Sequence, residues 1–98
     1  MVVFVCSPYG GKQANIDRAI NYCLMEIELG NTPYAPHIFF PQFMDEETER
    51  WEAIQMGLEM LDACAELHVW SNEITEGMKA EIEHAEENGI PVVYMEGA

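Results

Sequence analysis

The amino-acid sequence predicts an α/β domain built on a parallel β-sheet, and two observations carry that prediction. Short apolar, β-rich runs alternate along the chain with longer segments whose apolar residues recur every three or four positions. Glycine, proline or asparagine stands at most of the junctions between them. Such alternation is typical of parallel strands joined by right-handed helical crossovers.

The chain begins with a predicted strand and a predicted helix. The run from Val2 to Cys6 is β-rich and ends at the turn sequence Ser-Pro-Tyr-Gly-Gly. A helix is predicted from about Gln13 to Leu29, because an apolar stripe at helical spacing runs through it and Gly30 and Asn31 stop it. The stripe is expected to face the core, and its members are Ile16, Ala19, Ile20, Cys23, Leu24 and Ile27.

The middle of the chain predicts two further strands with a helix between them. Pro36 to Phe40 is interpreted as the second strand, and Pro41 limits its length. Asp45 is interpreted as the N-cap of a second helix that runs to about Cys64. Leu67 to Trp70 is apolar enough to be a third strand that is covered on both faces. The second helix is expected to turn Trp51, Ile54, Leu58 and Leu61 inward.

The last helix and strand complete the predicted fold. Thr75 is placed to cap a helix that ends at Asn88 and Gly89, and a fourth strand follows from Val92 to Met95. We therefore expect one domain over residues 1–98, a flavodoxin-like (Rossmann-like) three-layer sandwich with four parallel strands in the order 2-1-3-4.

This strand order predicts where a ligand would bind. In open parallel sheets, ligands bind beyond the carboxyl ends of the strands, at the point where the strand order reverses. The first and third strands flank that point, and they lead into residues 7–11 and 71–77. The groups expected to contact a ligand there are Ser7, Tyr9, Gly10, Gly11, Ser71, Thr75, Gly77 and Met78, with Lys12 as a further positive charge.

The segment after the third strand has the layout of an anion site. The first N–H groups of a helix capped by Thr75 lack intrahelical partners and attract anions. Glu81 lies four residues after Gly77 and would place a carboxyl group beside such an anion. Other interpretations stay open: Gly10 and Gly11 suit a plain strand–helix turn, Tyr9 suits the edge of the core, and Glu81 suits an acidic helix surface.

Two segments resemble one enzyme family. The stretch I-T-E-G-M-K-A-E-I, from Ile74 to Ile82, is similar to the S-x-G-x-G-Y-E segment of nucleotide N-glycosidases and to the D-x-G-x-x-x-E segment of nucleoside 2-deoxyribosyltransferases. The turn C-S-P-Y-G-G, from Cys6 to Gly11, is similar to the G-S-x-x-G-G turn of the same glycosidases. The resemblance is closest to small bacterial and phage members that carry S-x-G-M-x-x-E-I before the last helix.

The resemblance implies a reaction, and this sequence differs from the family's pattern at two positions. By position Glu81 matches the nucleophile that attacks the anomeric carbon of a nucleotide, and Thr75 matches the Ser or Asp of the motif. Lys79 replaces a glycine-like residue. The family's acidic residue for the leaving base has no counterpart in register, although Glu59, Asp62 and Glu66 lie nearby in sequence. The alternatives are a protein that binds a nucleotide-derived molecule without turnover, and an interaction protein without a ligand.

Composition narrows the choice of partners. The net charge is −14, with only Lys12, Arg18, Arg50 and Lys79 as basic residues, so the surface would repel DNA and RNA. A small nucleotide remains compatible, because backbone N–H groups can hold its phosphate. No metal or cofactor is expected, since the three cysteines and three histidines show no metal-ligand spacing.

The same composition predicts location and assembly. The apolar runs are too short to span a bilayer and the first residues lack a basic leader, so a cytoplasmic protein without a membrane anchor is expected. The chain has much apolar bulk for a small sheet, and we expect a homodimer through the second helix, around Trp51, Met56 and Met60.

Overall fold

Four parallel strands form one sheet in the order β2-β1-β3-β4, as predicted. The structure is a computed structural model and describes residues 1–8, 13–45 and 47–95. Its elements in chain order are β1 (Val2–Cys6), α1 (Gln13–Glu28), β2 (Thr32–Tyr34), α2 (Pro36–Phe39), a 3₁₀ turn (Phe40–Gln42), α3 (Arg50–Leu61), β3 (Glu66–Val69), α4 (Glu76–Glu87) and β4 (Val92–Tyr94).

The second strand lies earlier than predicted, and the interpretation of Pro36 to Phe40 as a strand is wrong. Strand β2 runs from Thr32 to Tyr34 and pairs with β1. Its central residue, Pro33, has no N–H to donate, which an edge strand tolerates. Pro36 instead opens α2 at its first turn, where the missing N–H costs no helical hydrogen bond.

The strands β1 and β3 divide the interior into two cores. Successive side chains of a strand point to opposite faces. Phe4 and Cys6 therefore pack with α3 and α4 on one face, and Val5 packs with α1 on the other. The cluster on the α3/α4 face contains Phe4, Cys6, Leu61, Cys64, Leu67, Val69, Met78, Ile82 and Ala85, whereas that on the α1 face contains Val5, Tyr22, Ala35 and Trp70.

Helix α1 is rotated away from its predicted orientation. Ile20, Leu24 and Ile27, which were expected in the core, are 43%, 55% and 57% exposed. Of the predicted stripe only Ala19 is fully buried, and the helix turns Tyr22 and Glu26 toward the sheet instead. Ile20, Leu24 and Ile27 of the apolar stripe therefore lie outside the core, whereas Ala19 is buried and Cys23 packs against the α1-face cluster.

A buried polar network sets this rotation. The side chain of Glu26 has no solvent exposure, and its Oε2 lies 2.5 Å from His68 Nδ1 and accepts the Trp70 Nε1–H at 2.8 Å. Its Oε1 accepts from Asn31 Nδ2 at 3.0 Å. Tyr22 stacks on the Trp70 ring with centroids 5.3 Å apart. A buried carboxylate needs such donors. Helix α1 therefore packs the face that carries Glu26 against β3.

Helix α3 begins later than predicted, and it exposes one residue that was expected to face the core. It starts at Arg50, because Asp45 Oδ1 accepts from the backbone N–H groups of Glu47 and Thr48 in a preceding turn rather than capping the helix. Leu61 is buried as expected. Trp51 is 69% exposed, so its predicted inward position is wrong.

We predict that Glu26→Ala lowers the free energy of unfolding by roughly 3 kcal/mol or more, because it leaves buried donors of His68 and Trp70 without an acceptor. Glu28→Ala, exposed on the same helix, is the matched control and should change stability by less than about 0.5 kcal/mol. Urea unfolding of the two variants measures both values. Equal effects of the two substitutions would show that the network does not hold α1.

Candidate functional site

A cavity opens beyond the carboxyl end of β1, between α4 and the segment from α2 to α3. The space between its walls, including the open mouth, is about 570 Å³. It lies where the strand order predicts a ligand site. Its walls are formed by Ser7, Pro36, His37, Phe40, Arg50, Ala53, Ile54, Gly57, Thr75, Gly77, Met78 and Glu81.

The first turn of α4 forms one wall. Thr75 has extended backbone angles, and its Oγ1 accepts the Met78 N–H at 3.4 Å, so it caps the helix as predicted. The N–H groups of Glu76 and Gly77 precede the first intrahelical hydrogen bond, which Lys79 makes to Thr75. A Cβ added at Gly77 would meet nothing within 4 Å, so the cavity is open there. The Met78 side chain is 1% exposed and belongs to the core cluster beneath the cavity.

Glu81 stands in the cavity wall one turn after Gly77. Desolvation by burial raises the pKa of its carboxyl group from the ordinary 4.5 to about 8, and a hydrogen bond with the Cys6 thiol opposes that rise. Burial, and then the charge of Glu81, raise the pKa of Cys6 far above its usual value. At pH 7 the cavity therefore contains a mainly protonated carboxyl group and a neutral thiol behind it.

Ser7 and His37 form a buried pair on the opposite side. Ser7 Oγ lies 2.7 Å from His37 Nε2, and the two residues are 3% and 5% exposed. Burial lowers the pKa of His37 from 6.5 to about 4, so its ring is neutral at pH 7. His37 was not expected at the site, because the run from Pro36 to Phe40 was interpreted as a strand. If Pro36 had been interpreted as the first residue of a helix, His37 would have been expected near the carboxyl end of β1.

The cavity has a positive balance of charge in a strongly acidic protein. Its ionisable wall residues among those described are His37, Arg50 and Glu81. At pH 7 the first is neutral and the third is mainly protonated, whereas Arg50 keeps its charge. The N-terminus of α4 adds partial positive charge. Arg50 was not expected at the site, because it reaches the cavity only where α3 begins, and that position differs from the predicted one.

The remaining predicted residues are not part of the described wall. Tyr9, Gly10, Gly11 and Lys12 lie outside the residues that the structure describes. Ser71 does not line the cavity, and its Oγ accepts the Glu73 N–H at 3.1 Å.

The acidic residues upstream of the third strand also lie elsewhere. Asp62 Oδ1 is 2.7 Å from His84 Nε2, and Glu66 Oε1 is 2.7 Å from His68 Nε2. Glu59 is exposed on α3 and absent from the described cavity wall. None of these three side chains therefore lies in the described cavity wall.

Two other kinds of feature are absent from the part of the chain that the structure describes. Residues 1–8, 13–45 and 47–95 contain no group of three or more His, Cys, Asp or Glu side chains arranged to hold a metal ion. Within the same ranges no helix has the length and apolar character needed to cross a membrane.

Comparisons with other proteins identify a family and a fold. The model of a family described as "Domain of unknown function (DUF7768)" matches residues 1–95. No curated protein matches the chain. Among solved structures, a 2-deoxyribosyltransferase from the psychrotolerant bacterium Bacillus psychrosaccharolyticus, described as a biocatalyst for the synthesis of antiviral and antitumoral nucleosides, is similar with a TM-score of 0.72. The match is 17% identical and covers 96% of this chain and 71% of that one, which shows a shared fold.

We predict that Glu81→Gln stabilises the fold increasingly as the pH rises from 5 to 8. The pKa of Glu81 is raised to about 8 in the folded state, so its contribution to stability is complete below pH 4.5 and is lost as the pH approaches 8. Glutamine does not ionise, so the variant does not lose stability in this way as the pH rises. Melting temperatures at several pH values measure the difference, with Glu83→Gln, exposed on the same helix, as control. A gap between Glu81→Gln and wild type that does not change with pH would contradict a desolvated, protonated Glu81.

Proposed function

We propose that this chain, which belongs to the DUF7768 family, binds a nucleoside 5′-monophosphate and cleaves or transfers its N-glycosidic bond through Glu81. The observation that carries the proposal is the shared cavity of Glu81 and the capped N-terminus of α4, with Arg50 as the charged wall residue. The fold shared with a solved 2-deoxyribosyltransferase supports it, as does the spacing of Thr75, Gly77 and Glu81.

In the proposed complex, the phosphate binds at the first turn of α4. The N–H groups of Glu76 and Gly77 face it, because that of Met78 is donated to the Thr75 cap. Arg50 neutralises its charge, and Ser7 is a further polar wall residue. The open space beside Gly77 admits the phosphate close to the backbone. The net charge of −14 opposes DNA or RNA, whereas a small nucleotide needs only the cavity, whose described wall carries Arg50.

The proposed reaction begins with the ionised form of Glu81. A carboxylate oxygen attacks the anomeric carbon, and the bond from that carbon to the base nitrogen breaks. The electron pair of that bond leaves with the base, which takes a proton from solvent or from a neighbouring group. Water then hydrolyses the glycosyl ester and restores Glu81, or a second base attacks it. Since a pKa of about 8 leaves about a tenth of Glu81 ionised at pH 7, the rate should rise toward pH 8.

A second candidate function is ligand binding without turnover, and one observation favours it. Glu81 is the one carboxyl group among the described wall residues, so no second acid is present there to protonate the leaving base. A protonated Glu81 also donates a hydrogen bond. It would then hold an acceptor of a nucleotide-derived ligand rather than attack it.

We predict that Glu81→Gln abolishes base release from nucleoside 5′-monophosphates and leaves nucleotide binding nearly unchanged. Glutamine keeps the shape of the side chain but provides no carboxylate. Chromatography of incubated mixtures measures free base, and a thermal-shift titration measures binding. Glu83→Gln is the control and should behave as wild type. Base release that persists in Glu81→Gln would remove Glu81 from the reaction, whereas binding without base release by wild type would support the second candidate.

We further predict that Gly77→Ala weakens nucleotide binding by about tenfold or more while raising stability by about 0.5–1 kcal/mol. The added methyl group meets no protein atom within 4 Å but occupies space proposed for the phosphate, and alanine favours the helix. Calorimetric titration with a monophosphate measures the first effect, and urea unfolding measures the second. A nucleoside without phosphate should bind wild type much more weakly, and equal affinities would contradict this phosphate position.

A further inference from the structure

The buried pair of Ser7 and His37 takes no part in the proposed steps of bond cleavage. Both side chains line the cavity, and Ser7 Oγ lies 2.7 Å from His37 Nε2. They are 3% and 5% exposed. A serine hydroxyl has one donor and two acceptor sites, and the contact with His37 uses one of these three. Ser7 therefore keeps hydrogen-bonding capacity in the wall of the cavity.

The pair suits an uncharged polar group. Burial lowers the pKa of His37 to about 4, so at pH 7 the pair has no charge. The proposed phosphate position is formed instead by the N-terminus of α4 and by Arg50. A ligand hydroxyl, which both donates and accepts, fits a serine hydroxyl in a neutral setting. The sugar of a nucleotide carries such groups.

Ser7 is held close to the Glu81 carboxyl group. It directly follows Cys6, the last residue of β1. The Cys6 thiol interacts with the Glu81 carboxyl group, and its Sγ donates to the Met78 carbonyl of the same helix at 3.9 Å. Since neighbouring Cα atoms are about 3.8 Å apart, Ser7 and Glu81 share the part of the wall where β1 meets α4.

The stereochemistry of the proposed attack determines which sugar hydroxyl would face this part of the wall. A nucleophile displaces the base from the opposite face of the sugar ring, as in retaining glycosidases. In a β-ribonucleotide the 2′-hydroxyl lies on that same opposite face, on the carbon next to the anomeric carbon. Glu81 in position to attack, and Ser7 beside it, would therefore face the 2′-hydroxyl.

We propose that Ser7 hydrogen-bonds the 2′-hydroxyl of the bound sugar, so that this cavity selects ribonucleoside 5′-monophosphates over their 2′-deoxy counterparts. This selection rests on the proposed function, because it takes the phosphate position and the attack by Glu81 from there. The 17% identity to the solved 2-deoxyribosyltransferase shows a shared fold and does not determine the sugar. One hydrogen bond between neutral groups predicts a preference of about tenfold.

Calorimetric titration at pH 7 tests this selection with matched nucleotide pairs. The probes are the 5′-monophosphates of adenosine, guanosine, cytidine and uridine, each compared with the 2′-deoxy compound that carries the same base. Base and phosphate cancel within a pair, so the ratio of the two dissociation constants reports the 2′-hydroxyl alone. For each base that binds, the ribonucleotide should bind about tenfold more tightly. The arabinose analogue, whose 2′-hydroxyl lies on the face of the base, should bind no better than the deoxy compound.

Two serine variants locate the contact. Ser7→Ala should weaken ribonucleotide binding by about tenfold and leave deoxyribonucleotide binding unchanged, so that the two affinities become equal. Ser71→Ala is the matched control, because Ser71 lies just after the neighbouring strand β3 and does not belong to the described cavity wall. It should keep the wild-type ratio. If circular dichroism shows that Ser7→Ala does not fold, the wild-type series with the arabinose analogue decides.

Failure of this selection is distinguishable from failure of the proposed function. If no nucleotide of either series binds, the proposed function and the selection are both overturned. Equal affinities within every bound pair, or tighter binding of the deoxy compounds, would overturn the selection alone and leave the proposed phosphate position and Glu81 in place. A ribonucleotide preference that persists in Ser7→Ala would overturn the contact with Ser7.

Discussion

The buried carboxylate of Glu26 is the constraint on which the arrangement of this protein depends. It is a polar group with no exposure to solvent, and burying it is unfavourable unless donors surround it. Its donors come from Trp70, His68 and Asn31, so α1 has one acceptable rotation against the sheet. His68 places each ring nitrogen within hydrogen-bond distance of a carboxylate, Glu26 on one side and Glu66 on the other. This network joins α1 to β3.

The two faces of the sheet consequently have different roles. The α1 face contains the polar network, which fixes geometry, and a small apolar core. The α3/α4 face contains the larger apolar core, and its cavity begins where that core ends, at Ser7 and Glu81. Strand β1 connects the two, because Val5 packs toward α1 while Cys6 packs with α3 and α4 and donates to the Met78 carbonyl. The walls of the cavity are thus attached to the best-packed strand of the sheet.

Features that depend on local chemistry were predictable from the sequence, and features that depend on distant contacts were not. Alternation of apolar runs and helical segments predicted a parallel sheet, for which the flavodoxin-like order 2-1-3-4 was expected and is confirmed. The Thr75 cap is a contact between residues three positions apart. The rotation of α1 depends on Glu26 and His68, which are 42 positions apart, and periodicity carries no information about that pair. The apolar pattern therefore predicted the wrong face of α1.

The same distinction explains the candidate site. Topology and the family resemblance brought Ser7, Thr75, Gly77 and Glu81 to one place, and the cavity contains all four. His37 was missed because an apolar run that begins with proline fits a strand as well as a helix when read alone. Arg50 was missed because α3 was expected to begin at Asp45, which would have placed Arg50 inside the helix rather than at its first turn. Tertiary context decided both cases.

Electrostatics links binding to reactivity in the proposed site. Glu81 is neutral because it is desolvated, and a bound phosphate would oppose its ionisation further, since like charges raise the pKa of a carboxyl group. A nucleophilic Glu81 therefore requires that Arg50 and the N-terminus of α4 first neutralise the phosphate. The cations that hold the ligand would then also determine how much of Glu81 is ionised. Where that neutralisation is incomplete, Glu81 stays protonated, and the same cavity binds its ligand without attacking it.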